Sequence, residues 1–149
     1  MKTHECAEKH PPIVKTDASG VLKRVEESTK PFVLVSFYAT SCKPCIREIP
    51  DLLEIKNSVN LNVDLLMVSV DNKEVVDKYL AGFLHERDVQ FSTYYAGGTD
   101  AETNKLVHAL VPSWEGTIPL NILMNNKGEV LNVLVGRTTA KEIRHLTRR

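Results

Sequence analysis

The sequence predicts an α/β fold, a mixed central sheet with helices on both faces. Three observations carry that expectation. The run Phe32–Tyr38 is almost unbroken apolar and rich in β-branched and aromatic residues, the pattern of a central strand covered on both sides. Asn62 to Val70 repeats the pattern after an intervening helical stretch. Pro119 to Met124 and Glu129 to Val135 then flank Asn125–Asn126–Lys127–Gly128, a hairpin signal that brings antiparallel pairing into the sheet.

The elements follow in order. Residues 1–16 read as an extended lead-in, because Pro11–Pro12 bars a helix there, and 17–149 as a single domain. Asp17 or Ser19 caps a short amphipathic helix carrying Val21, Leu22 and Val25, and Lys30–Pro31 ends it. After the first strand comes the Cys42–Cys45 pair, then a helix to about Asn57 in which Pro50 predicts a kink. Asp71 is a good cap for the next helix, whose Val75, Val76, Tyr79, Leu80, Phe83 and Leu84 share one face at helical spacing. Phe91 falls in a short strand or loop ahead of Gly97–Gly98, and Asp100 to Leu110 is a further helix stopped by Pro112. Ile118–Pro119 opens a strand, an awkward place for proline unless the peptide is cis or at an edge. Gly136 turns the chain, and Thr139 with Glu142 makes a capping box for the last helix. That helix ends in Arg144, His145, Arg148 and Arg149, which suits the negative end of its dipole.

Composition narrows the function classes. Hydrophobic residues make up 42% and charged residues 26% of 149, ordinary for a globular domain. Nineteen basic residues balance 19 acidic ones, so there is no basic field for nucleic acid and no polybasic block for a membrane surface. No apolar run is long enough to span a bilayer, and Met1 to His10 lacks the apolar core of a secretory signal. Three cysteines cannot form a disulfide framework, because one is left over. Cys42 and Cys45 sit three apart while Cys6 lies alone, and a single close pair in a domain of this size points to chemistry more than to bracing.

The pair sits where a buried strand hands over to a helix. Its first cysteine meets free backbone N–H groups and the positive end of the dipole, which favour an anion. Thiolate is the attacking species in disulfide exchange, so position 42 suits a nucleophile. Cys45, one turn on, faces the same side and can resolve a mixed disulfide; Pro44 restricts the turn, and Lys43 adds a positive charge. A zinc site is not expected, since no second pair completes four ligands, and no cofactor is expected either. Along the same helix Cys45, Ile46, Ile49, Leu52 and Leu53 share an apolar arc, with Arg47, Asp51 and Glu54 on the solvated side. Glu48 falls at the edge of the arc. Two readings stay open for it: a carboxyl whose pKa is raised by apolar neighbours, fit to accept a proton from Cys45, or a boundary glutamate that snorkels to water.

The segment Phe32-Val-Leu-Val-Ser-Phe-Tyr-Ala-Thr-Ser-Cys42-Lys-Pro-Cys45-Ile-Arg-Glu48-Ile-Pro50 resembles the thioredoxin superfamily, and within it the TlpA/ResA-like branch. The resemblance runs from Phe32 to the C-terminus and implies a thioredoxin-like fold with an extra helical insert, between Val70 and Pro119, ahead of the cis-proline strand. It implies that Cys42 is the exposed nucleophile, Cys45 the buried resolver and Glu48 the active-site glutamate. Ile118–Pro119 matches the cis-proline loop that binds substrate backbone, and Gly136 the glycine bordering the same groove; Lys43 and Pro44 complete the expected contact surface. The implied activity is thiol–disulfide exchange with protein substrates, most simply as a reductase fed by an upstream thiol donor. An extracytoplasmic, monomeric protein is expected. The family pattern is departed from in three places: Ser41 replaces the usual tryptophan, Ser36 the buried aspartate of thioredoxin proper, and Leu120–Asn121 follow the proline where threonine is usual.

Other readings compete. A non-catalytic binding module that kept the fold accounts for Ser41 and Leu120, and its Cys42 would show an ordinary thiol pKa of about 8.5. A peroxidase of the same fold is disfavoured, because Thr40 stands two rather than three residues before Cys42 and Leu34 stands where a proline belongs. His4, Cys6 and His10 form a weak metal-binding pattern. Tyr94–Tyr95 and Trp114 read as loop packing, His85 and His108 as surface or boundary residues.

Overall fold

Every residue of β2 (Phe32–Tyr38) is buried, and strand alternation sends its side chains into two separate cores. Phe32, Leu34 and Tyr38 join one; Val33, Val35 and Phe37 join the other. The computed structural model, which describes residues 10–148, grows outward from this strand. β3 (Val63–Ser69) runs parallel to it with Leu65 opposite Leu34. β5 (Leu120–Asn125) runs antiparallel on its other side with Asn121 opposite Ser36. β4 (Thr93–Tyr95) and β1 (Ile13–Lys15) extend the parallel half, and β6 (Val130–Val135) ends the antiparallel half, giving the order β1-β4-β3-β2-β5-β6.

Helices cover both sides. α2 (Lys43–Asn57), α3 (residues 73–86) and α5 (Ala140–Leu146) lie on one face and bury Ile49, Leu52, Ile55, Leu80, Leu84 and Ile143. α1 (Ala18–Glu26) and α4 (Asp100–Leu110) cover the other through Val21, Val25, Leu106 and Val107. Burying a side chain of this size stabilises the fold by about 1.5–3 kcal/mol, so each face amounts to a core of its own.

Several expectations are refined. Ile13–Lys15, within the extended lead-in, is hydrogen-bonded into the sheet beside β4. Asp17 is the cap of α1, accepting from the Gly20 N–H at 2.8 Å. Asp71 does not cap α3: Asn72 does, accepting from the Val75 N–H, while Asp71 turns back toward β2. In α3 an α turn (Lys73–Val75), a π-helical turn (Val76–Leu80) and an α-helix (Ala81–Glu86) run end to end. The wider turn keeps Val76, Leu80 and Leu84 inward and leaves Tyr79 65% exposed, against the shared face expected for it. The capping box of α5 is half formed: Thr139 accepts from the Glu142 N–H, but the Glu142 carboxylate takes the Thr138 hydroxyl instead.

Candidate active site

β2 leads the chain to the tip of α2. Cys42 is the N-cap there, with extended backbone, and its Sγ accepts from the Cys45 N–H at 3.3 Å. Lys43 and Pro44 open the helix, where the missing N–H of a proline has no helical partner to lose. Pro50 lies inside α2 with its ring exposed. Cys42 is joined to Cys45 by a disulfide with Cα atoms 5.2 Å apart; Cys42 is half-buried and Cys45 buried.

The chain returns to this point twice. The Ile118–Pro119 peptide is cis, and the Ile118 carbonyl oxygen lies 3.9 Å from Cys42 Sγ. Gly136, past β6, donates its N–H to the Pro119 carbonyl at 2.8 Å. Its φ of +94° lies in the left-handed region that glycine adopts without strain. Lys43 and Pro44 are exposed next to Cys42, whereas Ile118 and Gly136 are half-buried and Pro119 is buried.

Glu48 does not reach water. It is 0% exposed, and three donors hold its carboxylate: Ser36 Oγ at 3.3 Å on Oε1, with Asn121 Nδ2 and the Thr138 N–H each at 2.8 Å on Oε2. Burial pushes the Glu48 pKa above the ordinary carboxyl range; the Thr138, Asn121 and Ser36 hydrogen bonds pull against that shift, and the nearby Asp51 charge adds to it. Two of the three departures from the family pattern, Ser36 and Asn121, are thus the side chains that meet this carboxyl.

One residue that reads as a helix cap in the sequence has a different role in the structure. Asp71, buried at the end of β3, accepts the Thr40 N–H and hydroxyl at 3.1 and 3.0 Å and the Ser69 hydroxyl at 2.6 Å. It anchors the loop two residues before Cys42, and its charge adds to the burial that raises the Tyr38 pKa. A carboxylate directly after a buried strand was the signal. Thr40, the residue a peroxidase reading depends on, is spent on this anchor.

Tyr94 and Tyr95 are buried in β4, Tyr94 under Arg24. Trp114 donates to the Thr117 carbonyl and accepts at its own carbonyl from His108. His85 is exposed. His4 and Cys6 lie outside the described residues, and His10 hydrogen-bonds the Val89 carbonyl at 3.0 Å.

Sheet order, disulfide and cis-proline loop together define a thioredoxin-like thiol–disulfide oxidoreductase. The chain belongs to the AhpC/TSA family, whose model matches residues 7–133. It is similar to the thiol-disulfide oxidoreductase ResA of Bacillus cereus, 24% identical over 134 residues that span 89% of this chain and 71% of that protein. It is also similar to the thioredoxin-like protein YneN of Bacillus subtilis, 24% identical over 84% of this chain and 68% of that one. Among solved structures, StoA from Bacillus subtilis superposes with a TM-score of 0.59 at 23% identity, covering 82% of this chain and 86% of StoA. A thiol:disulfide interchange protein from Bacteroides sp. superposes with a TM-score of 0.63 at 19% identity, covering 92% and 84%.

Proposed function

We propose that this chain is a dithiol reductase of protein disulfides, acting as a monomer outside the cytoplasm. The observation that carries the reading is the Cys42–Cys45 disulfide at the tip of α2, with the Ile118 carbonyl 3.9 Å from Cys42 Sγ. An extended substrate lying along Ile118–Pro119 and Gly136, with Lys43 and Pro44 beside it, meets the half-buried sulfur first and never the buried one. Protein disulfides persist in oxidising compartments, which supports the location. Among the described residues no helix is long and apolar enough to cross a membrane.

In the reduced protein the Cys42 thiolate attacks a substrate disulfide, forms a mixed disulfide and expels one substrate thiolate. Cys45 gives its proton to Glu48, and its thiolate attacks the Cys42 sulfur. The Cys42–Cys45 bond forms, the second substrate sulfur leaves as thiolate, and protonation yields the thiol. Two electrons pass from the dithiol to the substrate, and an upstream dithiol returns them. Replacing Cys45 with Ser is expected to trap protein adducts on Cys42, and the wild-type protein to reduce insulin disulfides. Its midpoint potential is expected below the glutathione poise of about −220 to −260 mV. Absence of both adducts and insulin reduction defeats the assignment; a potential well above that poise makes the protein an oxidant instead.

A further inference from the structure

Among the polar side chains on the side of the sheet beneath α2, Ser36 of β2 and Asn121 of β5 sit opposite each other. Both are fully buried. On β5 the next residue with the same facing is Leu123, part of the core under α2, whereas Leu120, Ile122 and Met124 enter the opposite core. Asn121 therefore stands in a core position, and among the described residues its one side-chain hydrogen bond runs from Nδ2 to Glu48 Oε2. Its Oδ1 is buried with no partner. Buried polar atoms are seldom left in that condition without a reason.

The reason lies in what each group can exchange. A carboxylate only accepts; a carboxylic acid also donates; a primary amide carries a donor and an acceptor on one rotor. With Glu48 ionised, Nδ2 is the useful end of Asn121 and Oδ1 idles. With a proton on Oε2, a half-turn of the amide lets Oδ1 accept that O–H, and Nδ2 idles. The Thr138 N–H, the other group on Oε2, only donates. We infer that Asn121 is a positioning residue for the proton step, its amide reversing hydrogen-bond polarity with the proton on Glu48. The inference rests on Glu48 as acceptor of the Cys45 proton. The proton moves from Cys45 to Glu48 and on to the departing substrate thiolate, and no electrons pass through Asn121.

Other ionisable groups lie around Glu48 among the described residues. On α2 they are Cys45 and Asp51, the latter paired with Arg137 at 3.6 Å and accepting from the Ala140 N–H. Toward α5, Glu142 binds the Thr138 hydroxyl. β2 contributes the buried Tyr38 to this core, while β3 and α3 contribute Val63, Leu65, Met67, Val76, Leu80 and Leu84.

The oxidised protein allows a test without turnover. The Glu48 carboxyl carbon and the Asn121 side-chain amide are followed by NMR from pH 4 to 9. The Asn121 resonances are expected to shift with the same midpoint as Glu48. Asn121→Leu is expected to raise the Glu48 midpoint by at least one pH unit, a tenfold gain in proton affinity. It should displace the pH profile of mixed-disulfide resolution upward equally, with the rate recovered at high pH. A purely structural role slows resolution equally at all pH and leaves the midpoint in place. Ser36→Ala removes a donor without the rotor, so its Asn121 resonances should still track Glu48. Asn121 resonances that stay flat through the Glu48 transition in wild type overturn the inference, whether or not the leucine variant folds. The reductase reading fails separately, in the trapping and insulin assays.

Discussion

β2 presents two sides to two helical layers, and they are built differently. Toward α1 and α4 it sends Val33, Val35 and Phe37, which pack with Val68, Leu106, Val107, Leu120 and Ile122. Toward α2 it sends Phe32, Leu34, Ser36 and Tyr38, and there the apolar packing is broken by the Ser36–Glu48–Asn121 group and by a buried Tyr38 hydroxyl without a partner. The chemistry occupies the layer whose helix carries the cysteines; the opposite layer has only to keep the strands in register. Substitutions on the two sides of one strand should therefore separate stability from redox behaviour.

The largest expected effect falls on the apolar side. Phe37 is fully buried, and Phe37→Ala should cost about 3–5 kcal/mol in urea unfolding through lost transfer energy and the cavity left behind. The midpoint potential of the folded protein should not move; a shifted potential would mean that the two layers are coupled. Next comes the loop anchor. Asp71→Ala leaves the Thr40 N–H and the Ser69 hydroxyl without their acceptor, a loss of about 1–3 kcal/mol. Because Thr40 stands two residues before Cys42, the alkylation rate of reduced Cys42 should change as well, which no cavity on the far side would produce.

Glu48 gives a smaller effect that depends on pH. Burial holds its pKa above the usual value of about 4.3, so the folded protein keeps this proton to higher pH than the unfolded chain does. The stability this contributes is complete below about pH 4.3 and is lost as pH rises through the raised value, at up to about 1.4 kcal/mol per pH unit. Glu48→Gln should remove that slope. Denaturation midpoints measured from pH 4 to 8 should fall with pH more steeply in wild type than in the variant, and parallel curves would show that Glu48 does not titrate there.

What could be read in advance follows the same division. β2, β3 and the hairpin were legible because an unbroken or alternating apolar run reports burial directly, and the strand-to-helix handover fixed Cys42 at a helix tip. Ser36 and Asn121 were visible as polar departures within apolar strands, but their meeting at Glu48 depends on the antiparallel register of β2 with β5, which no local pattern encodes. β1 escaped as a strand because its three residues are held by pairing with β4, some eighty positions away. Tyr79 leaves the apolar face that helical spacing predicts for it because a π-helical turn has no signature in a 3.6-residue period. Asp71 reads as a cap in the sequence because capping chemistry and loop anchoring ask for the same carboxylate, and only the fold shows which N–H groups are near it.

The edge strand supplies the last and smallest test. Among the described residues β6 pairs only with β5, with a register shift between Leu123 and Met124, and it leaves Val130 39%, Val133 42% and Val135 63% exposed. Val133 stands opposite Ile122, which is fully buried, so the same substitution on neighbouring strands compares rim with core. Ile122→Thr buries a hydroxyl without a partner and should cost about 1–3 kcal/mol. Val133→Thr keeps a β-branched side chain at a half-open position and should change stability by less than about 0.5 kcal/mol. Should Val133→Thr cost as much as Ile122→Thr, the rim must be covered in solution, and if a second copy covers it the excess should shrink as the protein is diluted.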